Sequence, residues 1–153
     1  MNRGRVLLKS ICSMCLLLLL LAGCKSYSSA GLFIDNRSGR DIIVKANLNS
    51  DEYVEYYVCS ADNVELSSTG RYDYHIKEAF ISDFVSNPDA SVQIYVEKGD
   101  ELILVKEWKY SEKDEPGRQF FNELFLYRIT TAEPDGGSQY LYYFIINQND
   151  IEL

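Results

Sequence analysis

Four groups of residues have types and spacings that can do chemistry. Asp73 and His75 lie two apart in a β-rich stretch, so a strand would place them on one face. A carboxylate there can orient an imidazole, as in a catalytic triad. A hydrolase would need a nucleophile from elsewhere in the fold, and no surrounding motif marks one. The same pair also reads as a polar strand face alternating with Tyr72, Tyr74 and Ile76. Cys59 ends the strand-like run 53–59. It can be a small buried apolar residue, a nucleophile with His75 as its base, or half of an intermolecular disulfide. The stretch 111–117 carries three acids, whose carboxylates could hold Ca²⁺. It lacks EF-hand spacing and contains Lys113, which favours a solvated loop.

The fourth group is aromatic. Tyr53, Glu55 and Tyr57 would share one face of a strand, and Tyr140, Tyr142 and Phe144 one face of another. Exposed, Tyr53, Tyr57, Tyr140 and Tyr142 are candidates to stack on sugar rings or to meet a protein partner. Buried, they are ordinary cross-strand packing. The last strand is apolar or aromatic on both faces, since Leu141, Tyr143 and Ile145 form the other one. It must be covered twice or expose an aromatic patch.

What is missing narrows the classes. There is no G-x-S-x-G, H-E-x-x-H, P-loop or G-x-G-x-x-G, so no catalytic motif and no cofactor are implied. His75 is the single histidine, which excludes multi-histidine metal centres. A formal net charge of -8 argues against a nucleic-acid partner. Aromatic residues at 13% are too many for a disordered chain.

The N-terminus carries an export signal. Arg3, Arg5 and Lys9 form a basic region, followed by the 11 apolar-rich residues 11–21 with six leucines in a row. A bilayer span needs about 20 residues, so this run has signal-peptide length instead. It ends in Leu21-Ala22-Gly23-Cys24, which resembles the lipobox of bacterial lipoproteins. The resemblance implies cleavage before Cys24, a diacylglyceryl thioether on its sulfur and acylation of its new amino group. Several acyl chains hold a protein stably to a membrane, where one does not. The chain also resembles the short lipoproteins of Bacteroidota-type bacteria. In those, acids directly after the lipidated cysteine favour surface display. Here the first acid is Asp35, which favours the periplasmic face of the outer membrane. The sequon Asn36-Arg37-Ser38 is read as a turn.

Three segments follow: residues 1–23 as signal peptide, 24–31 as a flexible Ser/Gly-rich tether, and 32–153 as one folded domain. Removing the signal leaves 12 Lys and Arg against 23 acids, a side-chain net charge of -11. All 20 aromatic residues lie after Cys24, so none leaves with the signal.

The domain reads as mainly β, because period-2 alternation dominates. Runs 32–35 and 41–48 flank Asn36-Arg37-Ser38-Gly39 and suggest a hairpin. Run 53–59 is a third strand. Runs 64–67 and 72–76 suggest two weaker ones around Ser68-Thr69-Gly70. Phe80, Ile81, Phe84 and Val85 recur at helical spacing before Asn87-Pro88, predicting one short helix that packs Phe80 and Phe84 on a sheet. Runs 92–97 and 102–108 predict a hairpin around Lys98-Gly99-Asp100. Residues 110–119 read as a loop, and runs 123–131 and 139–147 as a last hairpin. Seven to nine short strands at regular spacing predict an antiparallel β-sandwich, with an immunoglobulin-like order among its possible forms. Three functions fit: a lipid-anchored binding module for a protein or glycan, an assembly subunit of an outer-membrane complex, and a small hydrolase using His75.

Overall fold

A computed structural model of the chain describes residues 27–73, 81–134 and 137–152. They form a β-sandwich of two four-stranded sheets. One sheet has the order β4-β1-β8-β7, from Asn63–Asp73, Tyr27–Asn36, Ser138–Ile146 and Tyr127–Ala132. The other has the order β3-β2-β5-β6, from Val54–Val58, Ile42–Ala46, Ser91–Lys98 and Glu101–Lys109. Neighbours pair antiparallel except β1 and β8, which run parallel. In an immunoglobulin constant domain the first two strands share a sheet. Here β1 and β2 lie in opposite sheets, so the sandwich is present without that strand order.

Alternation builds the core. Leu32 and Ile34 of β1, Ile42 and Val44 of β2, Val92, Ile94 and Val96 of β5, and Phe144 and Ile146 of β8 all point inward and are buried. The predicted hairpin of β5 and β6 is present, closed by Gly99 at φ +65°. The predicted last hairpin, β7 with β8, is present too.

Five expectations need correction. The hairpin expected from runs 32–35 and 41–48 does not form. The chain crosses between sheets there, because β1 is already paired on both sides by β4 and β8. The first weak strand and the start of the second, as far as Asp73, are one strand, β4, which continues through Ser68-Thr69-Gly70, and residues 74–76 of the second lie outside the described residues. The tether does not extend to residue 31, since Tyr27–Gly31 is the first half of β1. Its small polar residues look like linker but are held in ladders on both edges. In the region of the predicted helix, only a 3-10 turn at Ile81–Asp83 is described. Phe84 is buried as expected, and Phe80 lies outside the described residues. Cys59 is exposed, because β3 ends at Val58 and Cys59 starts the turn that follows.

The expected loop 110–119 is followed by residues 120–126, which join the core and a 3-10 turn at Glu123–Phe125, so β7 starts at Tyr127 and not at Glu123 as expected. Phe120 and Phe121 are fully buried and extend the aromatic core. Phe120 meets Trp108, Phe121 and Phe144 at ring-centroid distances of 6.3, 4.9 and 5.2 Å. Each buried phenyl stabilises the fold by about 1.5–3 kcal/mol. Arg118 fastens the segment. Its backbone oxygen accepts from Trp108 Nε1 at 2.9 Å, and its guanidinium bonds Asp150 and the Ile145 carbonyl.

The sheet-to-sheet crossing is organised by Asn36, which is fully buried. Its Nδ2 donates to the carbonyls of Arg40, Val58 and Cys59 at 2.8, 3.0 and 3.1 Å. Its Oδ1 accepts from the Ser38 hydroxyl at 2.7 Å. Its backbone bonds Asp62 and Ala61 at 2.9 and 2.8 Å. Asn36→Asp keeps the shape but turns a donor into a carboxylate facing three carbonyls. An uncompensated buried charge costs about 3–5 kcal/mol, so denaturant unfolding at neutral pH should show a loss of that size. The new carboxyl has a folded pKa above its unfolded one. Its penalty is therefore present above the folded pKa and shrinks as pH falls through it. A mild, pH-independent loss would mean that the amide is not the clamp described here.

Candidate functional site

The outer face of the β3-β2-β5-β6 sheet carries two aligned rows of side chains. Because Ile42, Val44, Val92, Ile94 and Val96 face the core, pleating turns Ile43, Lys45, Gln93 and Tyr95 outward. Register then aligns them across strands. Tyr57 stands opposite Ile43, Ile43 opposite Tyr95, and Tyr95 opposite Leu104. One apolar and aromatic row thus crosses all four strands. Tyr57 and Leu104 at its ends are 60% and 45% exposed, and Leu102 nearby is 41% exposed.

A second, polar row runs beside it: Glu55, Lys45, Gln93, Glu107. Lys45 Nζ lies 2.8 Å from Glu55 Oε2 and 5.1 Å from the centre of the Tyr95 ring. The Glu55 hydrogen bond holds the Lys45 ammonium above its ordinary pKa. Gln93 Nε2 donates to Glu107 Oε1 at 2.8 Å, and Tyr95 donates its hydroxyl to Gln93 Oε1 at 2.8 Å. Exposed ion pairs stabilise a fold by about 0–1 kcal/mol, so this row adds little to stability. Its effect is to fix side chains that would otherwise sample several rotamers.

Each outer tyrosine of β3 and its lead-in is tied at its hydroxyl. Tyr57 donates to Asp41 Oδ2 at 2.8 Å, while Asp41 Oδ1 accepts from the Ser60 amide at 2.8 Å. Those two bonds, the backbone one first, pull the Asp41 carboxyl below its usual pKa. Asp41 in turn raises the pKa of Tyr57. The Tyr53 hydroxyl lies 2.6 Å from Ser91 Oγ. Ser91 is buried and its amide donates to Asn47 Oδ1 at 2.6 Å. Tyr53 thus presents an exposed ring whose polar tip is already engaged.

The other two candidate tyrosines are placed differently. Tyr142 faces the core, 7% exposed, with its ring edge-on to Phe84 at 5.9 Å. Tyr140 is half-buried against the same core. They do not join Tyr53 and Tyr57. Leu141, Tyr143 and Ile145 form the opposite face of β8 and are half-buried. There Phe33 stacks on Tyr143 at 5.0 Å and lies so close over Gly31 that a β-carbon would stand 2.6 Å from its ring. That face is partly covered by its own rings.

The remaining constellations do not assemble among the described residues. His75 lies outside them, and Cys24 also does. Lys113 of the acidic stretch pairs with Asp114 at 2.6 Å. No group of three or more His, Cys, Asp or Glu is placed to hold a metal ion among the described residues. Pattern reading found Tyr53 and Tyr57 but missed Ile43, Tyr95 and Leu104, which complete the row of Tyr57. The outward alternation of β5 was a partial signal for Tyr95, but the row exists only through register.

The Asp41–Tyr57 contact is testable directly. With Asp41→Asn the charge that opposes phenolate formation is gone, so Tyr57 should ionise at a lower pH than in the parent, nearer the usual value of about 10. Ultraviolet difference titration against a Tyr57→Phe background reads this. The parent should lose some stability as pH falls through the lowered Asp41 pKa, because a depressed folded pKa stabilises only above it. Asp41→Asn should lack that part of the acid loss.

Comparison of the chain with protein-family models, with curated proteins and with solved structures found no match.

Proposed function

We propose that the chain is a lipid-anchored protein of the bacterial cell envelope whose sandwich binds a partner and catalyses no reaction. The observation that carries the binding role is the row Tyr57-Ile43-Tyr95-Leu104, flanked by a polar row, on the outer sheet face. Flat apolar and aromatic patches fixed by a polar surround suit a protein surface, where tyrosine anchors supply most of the binding energy. The row is open rather than enclosed, which disfavours a small ligand that needs burial on most of its surface.

The anchor rests on Leu21-Ala22-Gly23-Cys24 and the basic and apolar regions before it. The lipid is on Cys24 and the protein sits on the outer membrane, facing the periplasm. An assembly subunit of a larger outer-membrane complex would use the same face, with a permanent partner in place of a transient one.

Gentle detergent extraction from the native envelope, with sizing and mass spectrometry, tests the reading. A co-extracting protein is expected. Replacing Tyr57 with Ala and Leu104 with Glu together should weaken its binding about tenfold or more while the fold stays cooperative, with only the small stability loss expected from the missing Asp41 contact. Cys24→Ala should abolish labelling with radioactive palmitate. A lone particle that gains no partner on crosslinking, or a partner indifferent to both substitutions, would overturn the proposed binding face.

A further inference from the structure

The four sheet edges are not protected alike. β3 is five residues long and bears Glu55. β4 is irregular, with register shifts against β1 between Ser28 and Ala30 and between Leu32 and Phe33. β6 carries a bulge at Val105 and the charges Lys106, Glu107 and Lys109. Short strands, bulges and charges are the devices that stop edge-to-edge pairing. β7 is the least defended of the four: it has no bulge and, beyond Arg128, no charge. Tyr127-Arg128-Ile129-Thr130-Thr131-Ala132 pairs with β8 without a register shift, contains no proline and holds one charge. Every residue of it is exposed, with Tyr127 at 58% and Ile129 at 41%.

We propose that a second copy of this chain pairs with β7, antiparallel and centred on Ile129. The sequence of β7 is complementary to itself in that register. Ile129 faces Ile129 of the copy, Tyr127 faces Thr131, and Arg128 faces Thr130. Aromatic and β-branched residues opposite one another are favourable cross-strand pairs. Centring on Arg128 would oppose two positive charges. Centring on Thr130 would push Tyr127 past the end of the copy's strand. The pairing also continues existing rows, because Ile129 stands beside Leu141 and Tyr127 beside Tyr143 on the same outer face. Two four-stranded sheets would become one of eight, with a closed two-fold interface. Five residue pairs bury less than a stable dimer needs, so the association is weak. Both partners carry a large negative charge, so salt strengthens it by screening.

The test is disulfide trapping of the processed, lipidated chain, which begins at Cys24, in a Cys59→Ser background, with that background alone as the blank. Cross-strand Cα atoms lie about 4.5–5.5 Å apart, within disulfide reach. Ile129→Cys should therefore link to its own copy. Tyr127→Cys lies about 13 Å from its own copy and should link at least tenfold less. Mixing Tyr127→Cys with Thr131→Cys chains should restore linking. Sedimentation should show more dimer at high salt, and Ile129→Lys should remove it with the unfolding midpoint unchanged. Blank-level linking at Ile129→Cys, or linking at Tyr127→Cys or Thr130→Cys equal to it, would overturn the proposal. So would capture of Ile129→Cys by a different protein in the envelope.

Discussion

A sandwich must pass its chain from one sheet to the other without burying unpaired backbone groups, and here Asn36 meets that constraint. It is the last residue of β1, and its amide reaches the carbonyls of Arg40, Val58 and Cys59 while its backbone holds Asp62 and Ala61. One side chain thus ties the end of β1 to the start of β2, the end of β3 and the turn into β4. Buried carbonyls left without donors cost about 1–3 kcal/mol each, so the amide replaces water that cannot enter. The same turn delivers Asp41 to the rim, where it receives the Ser60 amide and the Tyr57 hydroxyl. The crossing and the position of the outermost tyrosine therefore follow from one buried contact.

The opposite end has a matching clamp. Asn47 and Ser91 exchange bonds at 2.6 and 3.2 Å, and Asn87 Nδ2 donates to the carbonyls of Asn47 and Ser50 at 3.0 and 2.9 Å. Polar clusters in low dielectric are stiff when every member is satisfied. Between the clamps the core is almost wholly aliphatic and aromatic. A supply of 20 aromatic residues exceeds what this interior holds. The surplus appears on the surfaces in two forms: rings that cover each other, as Phe33 and Tyr143 do, and rings held open by hydroxyl partners, as Tyr53 and Tyr57 are.

Local pattern carried the sheet content and failed at choices made over distance. The inward set Val92, Ile94 and Val96 and the turn at Gly99 were legible because alternation and a positive φ are local properties. Asn36-Arg37-Ser38-Gly39 has hairpin composition, yet whether its flanking strands pair depends on β4 and β8, about 30 and 110 residues away in the chain. Residues 27–31 have linker composition and become a strand for the same reason. Tyr140 and Tyr142 could not be assigned to a face by sequence, because β8 is apolar on both. The segment 110–126 hid its role behind Pro116 and Gly117, although Phe120 and Phe121 sit beside them. The row across β3, β2, β5 and β6 joins residues up to 61 positions apart, from Ile43 to Leu104, so only register reveals it.

The outer face of that sheet also separates order from stability. Lys45 with Glu55 and Gln93 with Glu107 are half-exposed contacts, each worth little to folding. They nonetheless restrict long side chains that would cost about 0.5–1.5 kcal/mol apiece to immobilise on binding. Tyr95 is held by Gln93 and flanked by Lys45, and Tyr57 by Asp41. A partner docking on the row meets rings whose rotamers are already chosen, so less of the contact energy is lost to ordering. Folding alone would be served as well by unlinked polar residues on a solvated face. If the row binds a partner as proposed, the physical gain from this particular wiring falls on recognition, because preorganised aromatic surface lowers the cost of association.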